Sequence, residues 1–298
     1  MTGDAGHVEL RWAYVPALIA LAVAHYVLAA IALRAAVGTR LPLLDTVMTQ
    51  FTAAAANRVT PSGLGGSAVN VRFLTCHGIP LRAAIAAVAA MHVLGGLADL
   101  PMIAVASPLA GGEVLTSLYE AAADWRVLVI AAASGVAAVT VLLRRHRRRT
   151  DDDDGRWADA RAGVAGLVRR PRDLFITMAA SAATTLSMGI AFALSVLAVP
   201  GAAEPGRAGT LIVAYLIGAS LSGLVPVPAG LGSTEAVLVG ALLALGVATG
   251  PAIQSVVLFR VITHWAPVPV GVLAARRALF RPRRTDPASR GESTFTAP

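Results

Sequence analysis

Apolar segments of two lengths alternate along this chain, and they constrain its fold more than any other feature. Five of them are long enough to cross the roughly 30 Å hydrocarbon core of a bilayer as helices. These spans are Trp12–Ala36, Arg82–Ala106, Trp125–Leu143, Leu174–Val199 and Ala252–Ala275. A hydrophobic fraction of 56% with only 14% charged residues excludes an ordinary soluble protein, in which about a quarter of residues are charged. The sequence therefore predicts an all-α, polytopic membrane protein.

Arginines indicate the side of the membrane on which each loop lies. Of the 25 basic residues, ten fall between Arg144 and Arg172 and six fall between Arg276 and Arg290. Cytoplasmic loops carry an excess of basic residues, so we place both clusters in the cytoplasm and the protein in the cytoplasmic membrane. The clusters flank apolar spans rather than a folded polar domain. The net charge of +8 therefore does not indicate a nucleic-acid-binding protein.

Four further apolar segments are too short to span the membrane, and they form two pairs. Leu43–Ala56 and Gly66–Cys76 make the first pair, and Thr210–Val225 and Glu235–Val247 make the second. As helices they measure only about 16 to 24 Å. Short hydrophobic segments at corresponding places in two halves are typical of broken helices around a binding site. We therefore expect each pair to form a re-entrant helical hairpin.

The turns inside the two pairs resemble each other. Residues 61–66 read Pro-Ser-Gly-Leu-Gly-Gly, and residues 228–233 read Pro-Ala-Gly-Leu-Gly-Ser. A glycine and then a full span follow each hairpin, at Gly78 and at Gly246. With the basic loop in the cytoplasm, the first hairpin opens to the cytoplasm and the second to the outside. The sequence therefore predicts inverted repeats, each containing a broken hairpin with a Pro-x-Gly-Leu-Gly turn.

These features divide the chain into four parts. Residues 1–143 hold the first membrane repeat and a connecting span, and residues 144–172 form a cytoplasmic loop rich in Arg and Asp. Residues 173–280 hold the second membrane repeat. Residues 281–298 form a basic cytoplasmic tail whose composition predicts disorder.

The half-helix after the first turn is a candidate anion site. The first N–H groups of a helix lack intrahelical partners and attract negative charge. We expect Ser67 to be the N-cap, and Arg72, a turn and a half later, to hold a phosphate bidentately. The alternative for Arg72 is that it snorkels to the cytoplasmic interface.

Glu235 takes the corresponding place in the second half. Arg260 lies deep in the last span, where a charge needs a partner, so we expect the two to pair. Thr263 and His264 lie beside Arg260 on the same span, and His264 shares its face. The ion pair is either a structural contact or part of a substrate or proton site.

Other polar residues suggest no catalytic chemistry. His92 and Asp99 share one face of a span, either as a proton relay or as a packed polar contact. Cys76 is the only cysteine, so neither a disulfide nor a cysteine metal site is expected. The chain has no P-loop, zinc-protease or serine-hydrolase motif. We therefore expect no enzyme activity, no cofactor and no metal.

Two signatures resemble those of the lysylphosphatidylglycerol synthase transmembrane, or flippase-like, family. The first reads Asn57-x-x-Thr60-Pro61-x-Gly63-x-Gly65-Gly66, followed by Asn70-x-Arg72-Phe73-Leu74. The second reads Pro226-x-Pro228-Ala229-Gly230-Leu231-Gly232-x-x-Glu235, followed by Gly246-Val247 and by Leu258-Phe259-Arg260-x-x-Thr263-His264-Trp265. The resemblance covers nearly the whole chain. The chain departs from it at Gly66 and Ser67, where many members have an acidic residue, at Ala229, where glycine is usual, and at His264, where an aromatic residue is common.

This resemblance implies a lipid flippase that moves an anionic or headgroup-modified phospholipid, with membrane lipids as its partners. The ligand-binding residues would be Asn57, Gly63, Gly65, Gly66, Ser67, Asn70, Arg72, Pro228, Gly230, Gly232, Glu235, Arg260, Thr263 and His264. The best-understood members of the family also carry a soluble aminoacyl-transfer domain. This sequence has no polar segment of that size, so aminoacyl transfer is not implied.

Three alternatives remain open from the sequence. The first is a secondary transporter of a small anion, which would use the same half-helices without lipid. The second is a membrane transferase acting on a lipid-linked sugar, for which only Glu235 and Asp99 are candidate carboxylates. The third is a non-transporting membrane partner of a cell-envelope lipid enzyme. The sequence identifies no specific protein partner.

Overall fold

The computed structural model describes residues 10–60, 64–106, 166–223 and 232–280, and every regular element within them is helical. The helices are α1 (Val15–Val37), α2 (Leu43–Val59), α3 (Leu64–Cys76), α4 (Leu81–Ala106), α5 (Pro171–Leu197), α6 (Ala208–Gly223), α7 (Ser233–Ala244), α8 (Thr249–Arg260) and α9 (Pro267–Phe280). A π-helical turn, Val261–Trp265, joins α8 to α9. Short 3-10 turns precede α1 and α6. The all-α class is confirmed.

Four helical segments in the described ranges are long and apolar enough to cross a membrane. They are Trp12–Val37, Leu81–Asp99, Pro171–Leu197 and Thr249–Arg276. They match four of the five predicted spans. The fifth, Trp125–Leu143, lies outside the described residues, as do most of the basic loop and the tail. The four-part division of the chain therefore stays a prediction.

The short predicted helices are also present. α2, α3, α6 and α7 have 17, 13, 16 and 12 residues, and their ends lie within three residues of the predicted ones. The guanidinium of Arg207, before α6, donates a hydrogen bond to the C=O of Leu245, after α7, at 3.1 Å. The start of α6 and the end of α7 therefore lie together, as in a helical hairpin.

Helices α1 and α5 form an antiparallel pair. The N–H of Arg11, before α1, donates to the C=O of Ala198, after α5, at 2.8 Å. At the opposite end, Gly38 closes α1 with a φ of 71°, and a Cβ added there would touch the guanidinium of Arg170. The basic residues that end α1 and begin α5 therefore share one side of the molecule, as the predicted orientation requires.

The first hairpin packs closely against the last span. A Cβ added to Gly271 on α9 would collide with the backbone C=O of Phe51 on α2. The hydroxyl of Thr52 donates to the C=O of Gly271 at 3.3 Å. Small residues at such crossings let two helix backbones approach within a membrane. This contact brings the end of α2 beside the π-helical turn.

Candidate functional site

The end of α2 caps the start of α3 at the tip of the first hairpin. The hydroxyl of Thr60 accepts a hydrogen bond from the N–H of Gly65 at 3.0 Å, and the side-chain carbonyl of Asn57 accepts one from the N–H of Gly66 at 2.5 Å. A Cβ added to Gly65 would lie 2.6 Å from the C=O oxygen of Ala56. Only glycine permits this approach, so Gly65 has a packing role here.

Ser67 is not the N-cap of this half-helix, so that prediction is wrong. α3 begins at Leu64, and the Ser67 hydroxyl lies 3.2 Å from Nε2 of His92 on α4. Because Asn57 and Thr60 supply the capping oxygens from the preceding helix, α3 begins before the serine. These hydrogen bonds also occupy two of the N–H groups that were expected to attract an anion.

Asn70 and Arg72 lie further along α3, away from the tip. The side-chain amide of Gln50 donates to Oδ1 of Asn70 at 3.0 Å, and both residues are buried. Asn70 therefore ties the two helices of the hairpin together. Arg72 is exposed. Its phosphate-binding role stays a prediction.

Glu235 caps the start of α7. Gly232 has a φ of 91°, in the region that favours glycine, and its N–H donates to Oε2 of Glu235 at 2.8 Å. The other carboxylate oxygen, Oε1, accepts a hydrogen bond from Nε of Arg260 at 2.6 Å. The predicted ion pair is confirmed, and the same carboxylate caps its own helix.

The π-helical turn adds His264 to the Glu235–Arg260 pair, and these residues form a charged cluster. Arg260 is 9% exposed, and its Nη1 lies 3.0 Å from Nδ1 of His264. The hydroxyl of Thr263 donates to the C=O of Phe259 at 2.7 Å, so this hydroxyl is used within the helix. A π turn distorts the regular helical register and is frequent at functional sites. Arg260 therefore links Glu235 on α7 to His264 on the last span.

Arg58, at the end of α2, joins this cluster and was not among the site residues predicted from the sequence. Its Nη2 donates to the C=O of His264 at 3.2 Å, and its charge interacts with that of Arg260. The signal was present in the sequence, because Arg58 directly follows Asn57 in the first signature. An arginine in an apolar membrane segment is uncommon, so the reasoning that identified Arg260 applies equally to Arg58.

The cluster lies level with the midpoint of helix α1. The ring of Tyr26, at the midpoint of the membrane-spanning helix α1, stacks on Phe51 with ring centroids 4.3 Å apart. Its hydroxyl lies 3.5 Å from the C=O of Thr263 in the π-helical turn. Parts of both hairpins, the last span and α1 therefore meet at one depth.

Three predicted site residues, Gly63, Pro228 and Gly230, lie outside the described residues. The two polar residues on α4 have separate partners. The carboxylate of Asp99 is hydrogen-bonded to Thr185 on α5, whereas His92 contacts α3. Within the described ranges, no three His, Cys, Asp or Glu side chains are grouped closely enough to hold a metal ion.

The comparison with known families agrees with the resemblance seen in the motifs. Residues 8–271 match the family described as the lysylphosphatidylglycerol synthase TM region. No curated protein matches the chain. The match includes α1 to α8, the π-helical turn and every residue of the charged cluster. This protein therefore belongs to the lysylphosphatidylglycerol synthase transmembrane-region family.

Proposed function

We propose that this protein moves an anionic or headgroup-modified phospholipid across the cytoplasmic membrane. Family membership supports a role in a lipid-related membrane process. The observation that carries the proposal is the charged cluster, in which Arg58 from the first hairpin and Glu235 from the second meet at the last span. Charged side chains at this depth are costly to a membrane protein and mark substrate pathways.

The packing of the hairpins supports the inverted-repeat architecture that this function needs. Leu41 and Leu74, at the open end of the first hairpin, share an apolar cluster with Leu33 near the C-terminal end of α1. Leu245, at the open end of the second, belongs to a cluster that includes Leu18 near the N-terminal end of α1. The hairpins therefore open towards opposite faces of the membrane. We infer that they are re-entrant and that their tips approach each other at the midplane.

This arrangement suggests how a headgroup would cross. The exposed guanidinium of Arg72 lies on the cytoplasmic half of the first hairpin and would contact the phosphate first. The headgroup would then reach the cluster between the tips while the acyl chains stay in the bilayer. The Glu235–Arg260 ion pair would close the path towards the outside. Rocking of one repeat against the other would expose the site to each leaflet in turn.

Lipid exchange in proteoliposomes tests the proposal. A fluorescent phosphatidylglycerol analogue should change leaflets faster with the protein than in protein-free vesicles. Arg260→Gln should slow the exchange. Arg40→Gln, which removes an exposed arginine after α1, should leave it unchanged. Exchange at the protein-free rate would refute the proposal, and protein-dependent uptake of a soluble anion without lipid exchange would favour the small-anion transporter.

A further inference from the structure

Arg58 is a charged residue level with the midpoint of α1, without an acidic partner in the described part of the chain. Within the described residues its side chain makes one hydrogen bond, from Nη2 to the backbone C=O of His264. Its Nε–H is buried and has no hydrogen-bond partner within the described ranges. Arg58 is half-buried, and a guanidinium at this depth requires a counter-charge and acceptors for its donors. One neutral carbonyl supplies only part of this.

His264 presents a second donor without a partner. Arginine can only donate, so the contact from Arg260 Nη1 makes Nδ1 of His264 the acceptor. The proton of the neutral imidazole then resides on Nε2. This Nε2–H is also buried and has no partner in the described ranges. Because Arg58 lies directly against His264, the two unmet donors belong to neighbouring side chains.

The charges of the cluster sum to one positive charge. Arg58 and Arg260 contribute two positive charges, Glu235 contributes one negative charge, and the imidazole is neutral in this hydrogen-bond pattern. A single negative charge on the ligand would neutralise the site. A dianion would leave an excess negative charge at a depth where charge is costly.

We propose that Arg58 and His264 form the binding subsite for one monoanionic phosphodiester group, with the Nε–H of Arg58 and the Nε2–H of His264 as its donors. This inference rests on the proposed function and adds the ligand chemistry and a residue that the signatures do not include. A phosphate oxygen is a stronger acceptor than a backbone carbonyl, and the guanidinium fork matches two oxygens of one phosphate. The phosphate would therefore replace the His264 carbonyl as the partner of Nη2. Glu235 and Arg260 would stay paired and position His264.

A lipid headgroup and free phosphate both offer this anionic group. Equilibrium binding, measured without transport, distinguishes the two. Native mass spectrometry of the purified full chain would compare retention of phosphatidylglycerol with retention of diacylglycerol, which lacks the phosphate. Inorganic phosphate would be added as a competitor. We expect phosphatidylglycerol to be retained and diacylglycerol not, and phosphate in solution not to displace the lipid. Displacement by inorganic phosphate at low millimolar concentration would overturn the lipid source and identify a free anion as the ligand.

Variants separate binding from folding. Arg58→Gln and His264→Phe should each weaken phosphatidylglycerol binding by at least about tenfold, as expected from the loss of a charge-assisted hydrogen bond or of a buried donor. Arg58→Lys, which keeps the charge but not the fork, should retain part of the affinity, and Arg40→Gln should retain all of it. Arg58→Gln should not lower the thermal stability of the lipid-free protein, since it removes a charge that has no acidic partner.

Three results would overturn the subsite: unchanged lipid binding in Arg58→Gln, equal retention of diacylglycerol, or a marked loss of lipid-free stability in Arg58→Gln. The last result would show that Arg58 has a structural role in the lipid-free protein. Binding that depends on Arg58 but is not accompanied by lipid exchange would uphold the subsite and refute the transport proposal. The two proposals therefore fail separately.

Discussion

The Glu235–Arg260 ion pair allows the energetics of the site to be tested by a double-mutant cycle. The carboxylate has two roles, because one oxygen accepts the N–H of Gly232 and the other accepts Nε of Arg260. Glutamine at the third helical position preserves a capping box. Glu235→Gln therefore removes the charge and keeps the cap, and Arg260→Gln removes the opposite charge. The combined variant removes both charges.

The expected magnitudes follow from the charges that each variant leaves behind. Removing one partner of a buried ion pair costs about 3–5 kcal/mol, and the 31% exposure of the Glu235 side chain places this pair at the lower end. Glu235→Gln leaves two positive charges, on Arg58 and Arg260, and should cost about 3 kcal/mol. Arg260→Gln leaves one charge of each sign and should cost about 2 kcal/mol. The double variant should cost about 2 kcal/mol less than the sum of the two.

The measurement is reversible unfolding in mixed micelles with increasing SDS, followed by tryptophan fluorescence. Arg40→Gln serves as the control for removing a positive charge at an exposed position. Additive effects of the two single changes, within about 0.5 kcal/mol, would refute the energetic pairing. A larger loss in Arg260→Gln than in Glu235→Gln would refute the charge count of the cluster. Lipid exchange in the double variant then shows whether the pair only braces the site or also handles the headgroup.

Two further predictions concern packing and orientation. Gly65→Ala should lower the free energy of unfolding by about 1–3 kcal/mol, because its Cβ would meet the backbone of α2. Gly96→Ala, in open space on α4, is the control and should be neutral or stabilising. Equal SDS-unfolding midpoints for the two variants would contradict the packing role of Gly65. In a Cys76→Ser background, Glu204→Cys should react with an impermeant maleimide on intact cells, and Thr39→Cys only after permeabilisation. Both positions are exposed, and they lie at opposite ends of the antiparallel α1–α5 pair. The reverse labelling pattern would invert the orientation derived from the arginines.

The lengths of the apolar segments predicted much of this fold. The length of an apolar segment and the Gly/Pro turn beside it are both local features of the sequence. They were sufficient to predict the short helices α2, α3, α6 and α7. The Glu235–Arg260 pair was also predictable, because a charge in a membrane segment requires a partner and Glu235 is an acidic residue on the short helix just before the last span.

Two features of the site depend on tertiary contacts: Ser67 is not the N-cap of α3, and Arg58 reaches the last span. The sequence around each residue does not reveal these contacts. Ser67 has the right residue type for an N-cap, but Asn57 near the end of α2 and Thr60 just after it accept hydrogen bonds from the first N–H groups of α3. Arg58 points to the last span because α2 crosses α9 at Gly271. Neither the distance between α2 and α9 nor the identity of the contacting residues follows from hydropathy.

The π-helical turn in the last span was predictable in part from Pro267. It also accounts for the contacts that Tyr26 and Arg58 make with this turn. Ala252–Ala275 was predicted as one span, and Thr249–Arg276 is one span in the structure, but a π-helical turn lies within it and α9 begins at Pro267. Proline has no N–H, so the C=O of Thr263, four residues earlier, loses its regular helical donor. Backbone carbonyls at membrane depth must be satisfied within the protein. Tyr26 from α1 approaches this carbonyl at 3.5 Å, and Arg58 from α2 donates to the next one at 3.2 Å.

Pro267→Ala therefore tests whether the missing N–H maintains the site. The restored donor should satisfy the C=O of Thr263 and favour a regular α-helical turn, which would rotate His264 away from Arg58. We expect lipid exchange to fall by about tenfold, while the free energy of unfolding stays constant or rises, since a proline inside a helix costs about 3 kcal/mol. Pro269→Ala, at an exposed position outside the π-helical turn, is the matched control and should keep its transport rate. Normal exchange in Pro267→Ala would show that the cluster keeps its geometry without the proline, and that packing against α2 alone holds the π turn in place.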